Sequence, residues 1–98
     1  MGPPPSKKAG AAGGLIMATF KYFGSLSQYT GKKEEQVPVT TLGEARDYIK
    51  KKYGAKTLKA VRHSTVIVNN RNYNSLPRKQ RFFGENDIVY FFPPTGGG

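Results

Sequence analysis

The chain has 98 residues, no cysteine and a net charge of +10, with 16 lysines and arginines against 6 acidic residues. The lack of cysteine excludes disulfides, zinc–thiolate sites and a thiol nucleophile, and fits a reducing cytoplasm. Ninety-eight residues allow one domain with a modest core, and no run of the sequence is long and apolar enough to span a bilayer.

The first residues differ in composition from the rest of the chain. Residues 1–14, MGPPPSKKAGAAGG, contain only Pro, Gly, Ala, Ser and Lys after the initial Met. Such a segment buries too little apolar surface to offset its ordering entropy, and its Gly/Ala-rich centre argues against a secretory signal. We therefore predict a flexible tail over 1–15, a folded domain over 16–94 and a flexible glycine tail over 95–98.

The domain begins with a predicted strand that ends at Gly24. Its apolar side chains alternate, so that one face carries Ile16, Ala18, Phe20 and Tyr22. Phe23 falls on the other, less apolar face. The following SLSQYTGKK predicts a turn or one short helical segment ending at Gly31. EEQVPVT is a second strand candidate, and Pro38 within it favours an edge position or a strand end because it lacks a ladder donor.

The strongest helix pattern covers TLGEARDYIKKKYG, residues 41–54. Leu42, Ala45, Ile49 and Tyr53 form one apolar stripe at helical spacing. Thr41 and Glu44 have the spacing of a capping box at the start of the helix. Gly54 is placed to close the helix in the left-handed conformation.

The second half of the chain predicts mostly strands. LKAVRHSTVIVNNRNYN indicates a strand centred on 66–68, a turn over 69–71 and a short strand or loop back. SLPRKQRFFGEND is irregular and basic. DIVYFF is the final strand, and its continuous apolar character favours a central strand that is buried on both faces.

This element order predicts an α+β fold. One helix covers one face of a small sheet, so a mixed sheet of four to five strands wrapped around one main helix is the economical arrangement. This is the ubiquitin-like β-grasp fold.

The ending FGENDIVYFFPPTGGG resembles the C-terminus of the MoaD/ThiS sulfur carriers and the related archaeal small modifiers and ubiquitin-related modifiers, which have the form G-D-x-V-x-F-F-P-P-x-x-G-G. FKYFGSLSQYTG, TTLGEARDYIKKKYG and VIVNN are similar to the family's first strand, helix and V-x-V-N-G turn. The resemblance covers about residues 16–98.

The resemblance implies that the working group is the terminal carboxylate of Gly98, which an ATP-dependent, ubiquitin-activating-type enzyme adenylates. The tail that threads this enzyme is Pro93, Pro94, Thr95, Gly96 and Gly97. Glycine has no Cβ and passes a narrow channel, while proline has a fixed φ and projects the tail away from the sheet. The chain is then a carrier and a substrate, with no catalytic residue, no metal and no bound cofactor of its own.

The family implies two fates for the adenylate. A persulfide source or sulfur-donating enzyme leads to a thiocarboxylate on Gly98, a sulfur donor for a molybdopterin synthase large subunit or a tRNA thiolation enzyme. Attack by a lysine of a target protein gives an isopeptide bond. The family also suggests docking through Phe23 and Phe92, whereas the ordinary expectation for any single Phe is a place in the core.

Other residues suggest weaker alternatives. RNYN, RKQRFF and KYF mix cations with aromatics, as RNA-binding proteins do, but a specific RNA-binding motif is absent. His63, the single histidine, has no cysteine to share a metal with. The acidic pairs Glu34–Glu35 and Glu85/Asp87 are placed in predicted turns, without a cleft for acid–base chemistry.

Overall fold

The computed structural model describes residues 16–94, so the predicted tails over 1–15 and 95–98 lie outside the described residues. These residues form five strands and three α-helices, in the order β1 Ala18–Tyr22, α1 Ser25–Thr30, β2 Glu34–Val37, α2 Leu42–Tyr53, α3 Ala55–Arg62, β3 Thr65–Val68, β4 Arg71–Asn72 and β5 Ile88–Phe92. Two short 3-10 helices, Tyr73–Ser75 and Arg78–Gln80, occupy the connection predicted as irregular. Within residues 16–94, no helix is long and apolar enough to cross a membrane.

The five strands form one mixed sheet in the order β2-β1-β5-β3-β4. β1 and β5 run parallel, while the other neighbours are antiparallel. β5 is therefore central, as predicted, and β2 is the edge strand that Pro38 indicates. The core is formed between the sheet and the helices, which confirms the α+β, β-grasp prediction.

β5 is buried on one face only. Val89 and Phe91 are fully buried, Ile88 and Tyr90 are half-buried, and Phe92 is 38% exposed. The prediction of burial on both faces is wrong, because the helices cover a single face of the sheet. The apolar side chains of the other face are left at the surface.

The start of α2 is capped as predicted, with a small difference. The Glu44 amide donates to Thr41 Oγ1 at 3.1 Å, but the Glu44 carboxylate accepts from the amide of Thr40, at 2.8 Å, rather than from Thr41. At the other end, Gly54 has φ 99° and ψ 174°, which is not the predicted left-handed helical closure. The physical reason is that the chain re-enters a helix at once, because the Gly54 carbonyl accepts from the Leu58 amide.

The helix α3 was not predicted from the sequence. The sequence suggested one main helix and only a strand in this part of the chain. α3 has eight residues, and it buries Thr57 and Val61 one turn apart against the core. The strand begins after it, at Thr65.

Glu35 lies on β2, not in a turn, and its carboxylate joins three tyrosines. The hydroxyls of Tyr22 and Tyr53 donate to one oxygen, each at 2.6 Å. Tyr48 and Lys52 donate to the other oxygen, each at 3.0 Å. This Glu35 cluster connects the edge strand to β1 and to α2.

The environment of Glu35 stabilises its charged form. Burial by itself raises the pKa of this carboxyl, whose side chain is 8% exposed. The hydrogen bonds from Tyr22 and Tyr53, with those from Lys52 and Tyr48, outweigh that effect and lower the pKa to about 2. Burial and the nearby carboxylate together raise the pKa of the Tyr22 hydroxyl, which therefore stays a donor.

The first prediction concerns β5. Replacing Phe91 with Ala leaves a cavity in the core and lowers the free energy of unfolding by about 3–5 kcal/mol. Replacing Phe92 with Ala lowers it by only about 1 kcal/mol, since that ring lies at the surface and its aromatic contacts are the stacked rings of Phe23 and Tyr90. Urea unfolding of the two variants measures the difference. Equal losses would show that the face assignment of β5 is wrong.

The second prediction concerns Glu35→Gln. Because the folded-state pKa lies below the ordinary value of 4.5, the contribution of Glu35 to stability is fully present above about pH 4.5. It is lost as the pH falls towards the folded-state pKa. We expect Glu35→Gln to lower the free energy of unfolding by about 2 kcal/mol at pH 7 and to remove this part of its pH dependence.

Glu34→Gln is the matched control. Glu34 is on the same strand, its side chain is 60% exposed and its contact with Lys21 is 3.4 Å long. Exposed ion pairs contribute little, so this variant unfolds like the parent protein. Urea unfolding from pH 2 to 7 compares the three proteins, and identical pH profiles for Glu35→Gln and the parent would contradict the cluster's role.

Candidate functional site

The point where the chain leaves the sheet is fixed by close contacts. The amide of Phe23 donates to the carbonyl of Phe91 at 3.2 Å, which extends the pairing of β1 and β5 to the end of both strands. Gly24 follows with φ +56°, and a Cβ at this position would lie 3.2 Å from Cγ of Pro93. Pro93 has no backbone donor, so the ladder ends there. We call Pro93 and Pro94, which lead towards the predicted tail, the tail root.

Three aromatic side chains stack beside the tail root. The rings of Phe23 and Phe92 have centroids 4.5 Å apart at an interplanar angle of 20°. Tyr90 lies 6.1 Å from each of them. Phe23 and Phe92 are each 38% exposed. Because side chains alternate along a strand, this aromatic patch lies on the sheet face opposite the helices.

The ordinary expectation that Phe23 and Phe92 belong to the core is wrong. The core position at the end of β5 is taken by Phe91, whose ring lies 5.1 Å from that of Phe20 and 5.9 Å from that of Tyr22. A single step along the strand thus separates a structural phenylalanine from an exposed one.

The aromatic patch continues across the open face of the sheet. Tyr90 of β5 stands opposite Ile67 of β3 and opposite Lys21 of β1. Ile67 is half-buried and extends the apolar surface, while Lys21 lies at its edge beside Glu34. An apolar centre with a charged rim is the usual composition of a protein-docking surface.

The other candidate residues have structural roles. Asp87 accepts hydrogen bonds from the Gly84 amide at 2.7 Å and from Asn69 Nδ2 at 3.2 Å. It therefore connects the turn before β5 to the turn that follows β3. Asn69 has φ 57°, as expected for the predicted turn. His63 is exposed, and among residues 16–94 no group of three or more potential ligands surrounds a metal position. The tail residues Thr95, Gly96, Gly97 and Gly98 lie outside the described residues.

Comparisons with known proteins agree with this architecture. The sequence profile of the ThiS family matches residues 20–98. No curated protein matches the chain in sequence.

Several solved structures share the fold. The Haloferax volcanii HVO 2177 protein aligns with a TM-score of 0.69 and 21% identity, covering 95% of this chain and 96% of that one. Small archaeal modifier protein 1 from Methanosarcina acetivorans gives 0.70 and 17%, covering 88% and 100%. A chain of the complex of subunits 1 and 2 of molybdopterin-converting factor from Helicobacter pylori gives 0.60 and 18%, covering 85% and 100%.

At these identities the structural likeness establishes the fold, while the family profile establishes the relationship, since it spans most of the chain and includes the stretch that ends in the glycines. The chain belongs to the ThiS family, whose members are small ubiquitin-like carrier proteins and not themselves enzymes.

Proposed function

We propose that this chain is a sulfur carrier or small protein modifier that is activated at the carboxylate of Gly98. The observation that supports this most directly is the stacked and exposed pair of Phe23 and Phe92, held where Pro93 leaves the sheet. Exposed apolar patches on a small protein mark surfaces that bind partners, and this one lies beside the root of the tail. Family membership supports the same conclusion.

The proposed chemistry takes place in an adenylating enzyme of the ubiquitin-activating type. A Gly98 carboxylate oxygen attacks the α-phosphorus of ATP, and pyrophosphate leaves, which gives an acyl-adenylate. A persulfide sulfur from the sulfur donor then attacks the acyl carbon and AMP leaves. A second thiolate then attacks the donor's sulfur in the resulting acyl disulfide, which forms a new disulfide with the donor and releases the Gly98 thiocarboxylate. A lysine amine of a target protein can attack the same carbon instead, which gives an isopeptide bond and AMP.

The residues of the chain contribute position and shape to this chemistry. Pro93 and Pro94 have fixed φ and direct the tail away from the sheet. Thr95, Gly96 and Gly97 thread the enzyme's channel, and the two glycines pass where a side chain would collide because they have no Cβ.

The aromatic patch supplies the apolar docking contact to the partner. The first partner is the adenylating enzyme, followed by the sulfur donor. The acceptor is a molybdopterin synthase large subunit, a tRNA thiolation enzyme or a target lysine; the Helicobacter pylori neighbour was solved in complex with subunit 2 of its converting factor. We place this chemistry in the cytoplasm, where ATP is available. Neither the family nor the structural neighbours favours nucleic acid as the main partner.

The test of the proposal is intact-protein mass spectrometry on protein purified from its own cells under controlled reductant. We expect an alkylatable replacement of oxygen by sulfur at Gly98, or Gly98 joined to lysines of other proteins. Alkylation is needed because oxidation of Met1 or Met17 adds nearly the same mass. An unmodified carboxylate at Gly98 throughout, even after incubation with ATP and the adenylating enzyme, would overturn the proposal.

A further prediction concerns Gly97→Leu. A Cβ and its branches collide with the walls of a narrow channel, so ATP–pyrophosphate exchange catalysed by the adenylating enzyme falls by about 100-fold or more. Lys79→Leu is the matched control, because it introduces the same side chain at an exposed position outside the tail and the aromatic patch, and it keeps exchange close to that of the parent. Thermal unfolding verifies that both variants are folded. Normal exchange with Gly97→Leu would show that the tail does not thread a channel.

A further inference from the structure

A groove lies on the helix side of the tail root, across the sheet from the aromatic patch. It is lined by Tyr29 of α1, by Lys56 and Lys59 of α3, by His63 directly after α3, and by Pro93 and Pro94. Its volume is about 610 Å³. We call it the basic groove. The chain thus leaves the domain between an apolar surface on one side and a cationic surface on the other.

The positive charge continues beyond the basic groove. A second groove, between α2 and α3, shares Lys59 and His63 with the first and adds Lys50 and Arg62. Lys56, Lys59 and Arg62 recur along α3 at a spacing of three, which brings their side chains to neighbouring positions on the helix surface. The result is a continuous cationic surface that ends at the tail root.

Acidic side chains of the described part do not neutralise this surface. No aspartate or glutamate among residues 16–94 lines either groove. The acidic residues that do form ion pairs do so elsewhere: Asp47 with Lys51 at 3.0 Å, and Glu35 with Lys52 at 3.0 Å. Neighbouring like charges repel one another, and a negatively charged partner relieves that repulsion.

The basic groove is also lined by apolar side chains, and these limit the kind of partner that fits it. Ala60 and the two prolines supply aliphatic surface, and the Tyr29 ring is 42% exposed. Lys56 Nζ lies 5.8 Å from the centroid of that ring. A cation over Tyr29 competes with a nucleic-acid base for stacking there, and base stacking is a main source of affinity for single strands. A segment with both acidic and apolar side chains complements the lysines and the apolar side chains that line the groove.

We propose that the basic groove binds an acidic segment of the adenylating enzyme that receives the tail. This inference rests on the proposed function. Pro93 borders the groove, and its neighbour Phe92 belongs to the aromatic patch, so an enzyme that surrounds the tail contacts both surfaces. The aromatic patch contributes apolar contact, while the groove contributes charge complementarity, which steers the encounter and excludes partners of the wrong charge.

The experiment measures ATP–pyrophosphate exchange by the adenylating enzyme as a function of carrier concentration. The test variant is Lys56→Glu/Lys59→Glu, and the matched control is Arg78→Glu/Lys79→Glu. Both change the net charge by the same amount, and the control residues are exposed and line neither groove. We expect KM to rise about tenfold in the test variant at low salt, with kcat unchanged, and to stay near the parent value in the control.

The effect also has a salt dependence that a general loss of stability lacks. The difference in KM between test variant and parent shrinks as the ionic strength increases, because salt screens charge–charge attraction. Lys56→Gln/Lys59→Gln raises KM by a smaller factor. It replaces the double Glu variant as the test if that variant is unfolded. Thermal unfolding of each variant verifies the fold.

Each contrary outcome has a different meaning. Equal KM values for the test variant and the control would overturn the groove proposal and leave the proposed function intact. Equal KM values together with a loss of binding to purified total tRNA in the test variant alone would make the groove a nucleic-acid site. An absence of exchange with the parent protein would contradict the proposed function itself, and the groove proposal with it.

Discussion

The structure depends on the position of β5 between β1 and β3. Its pairing with both neighbours places Val89 and Phe91 on the helix side of the sheet. A slip of one residue would exchange the two faces of the strand. The same register that buries Phe91 therefore exposes Tyr90 and Phe92, and it fixes where the chain leaves the sheet. The core and the aromatic patch are two consequences of a single strand register.

The Glu35 cluster performs a different task, at the edge of the sheet. β2 has few apolar side chains, so packing alone holds it weakly, and the hydrogen bonds of Glu35 join it to β1 and α2. A buried carboxylate is costly unless its oxygens are satisfied, and four donors to its two oxygens meet that condition here. The charged character of β2 also discourages pairing of the edge strand with other chains. Stability at this edge is thus polar and sensitive to acid, unlike the aromatic core.

Two surfaces flank the tail root of this small carrier protein. The aromatic patch and the basic groove lie on opposite sides of the tail root, and Gly24 permits the close approach that keeps Pro93 between them. An apolar surface alone would accept many partners, since it has little directional character. A cationic groove beside it adds a charge requirement, which restricts the partners that can receive the tail.

The sequence by itself determined the features that local patterns encode: the alternation of β1, the cap and stripe of α2, the edge position signalled by Pro38, and the ending that identifies the family. The tertiary structure decided α3, because a helix of eight residues is too short to be stable alone and depends on the packing of Thr57 and Val61 against the core. It also decided the partners of Glu35, which lie 13 to 18 residues away, and the choice between Phe91 and Phe92 within a continuous apolar run. The physical reason is the same in each case: these features depend on the register and packing of distant segments, which no local pattern contains.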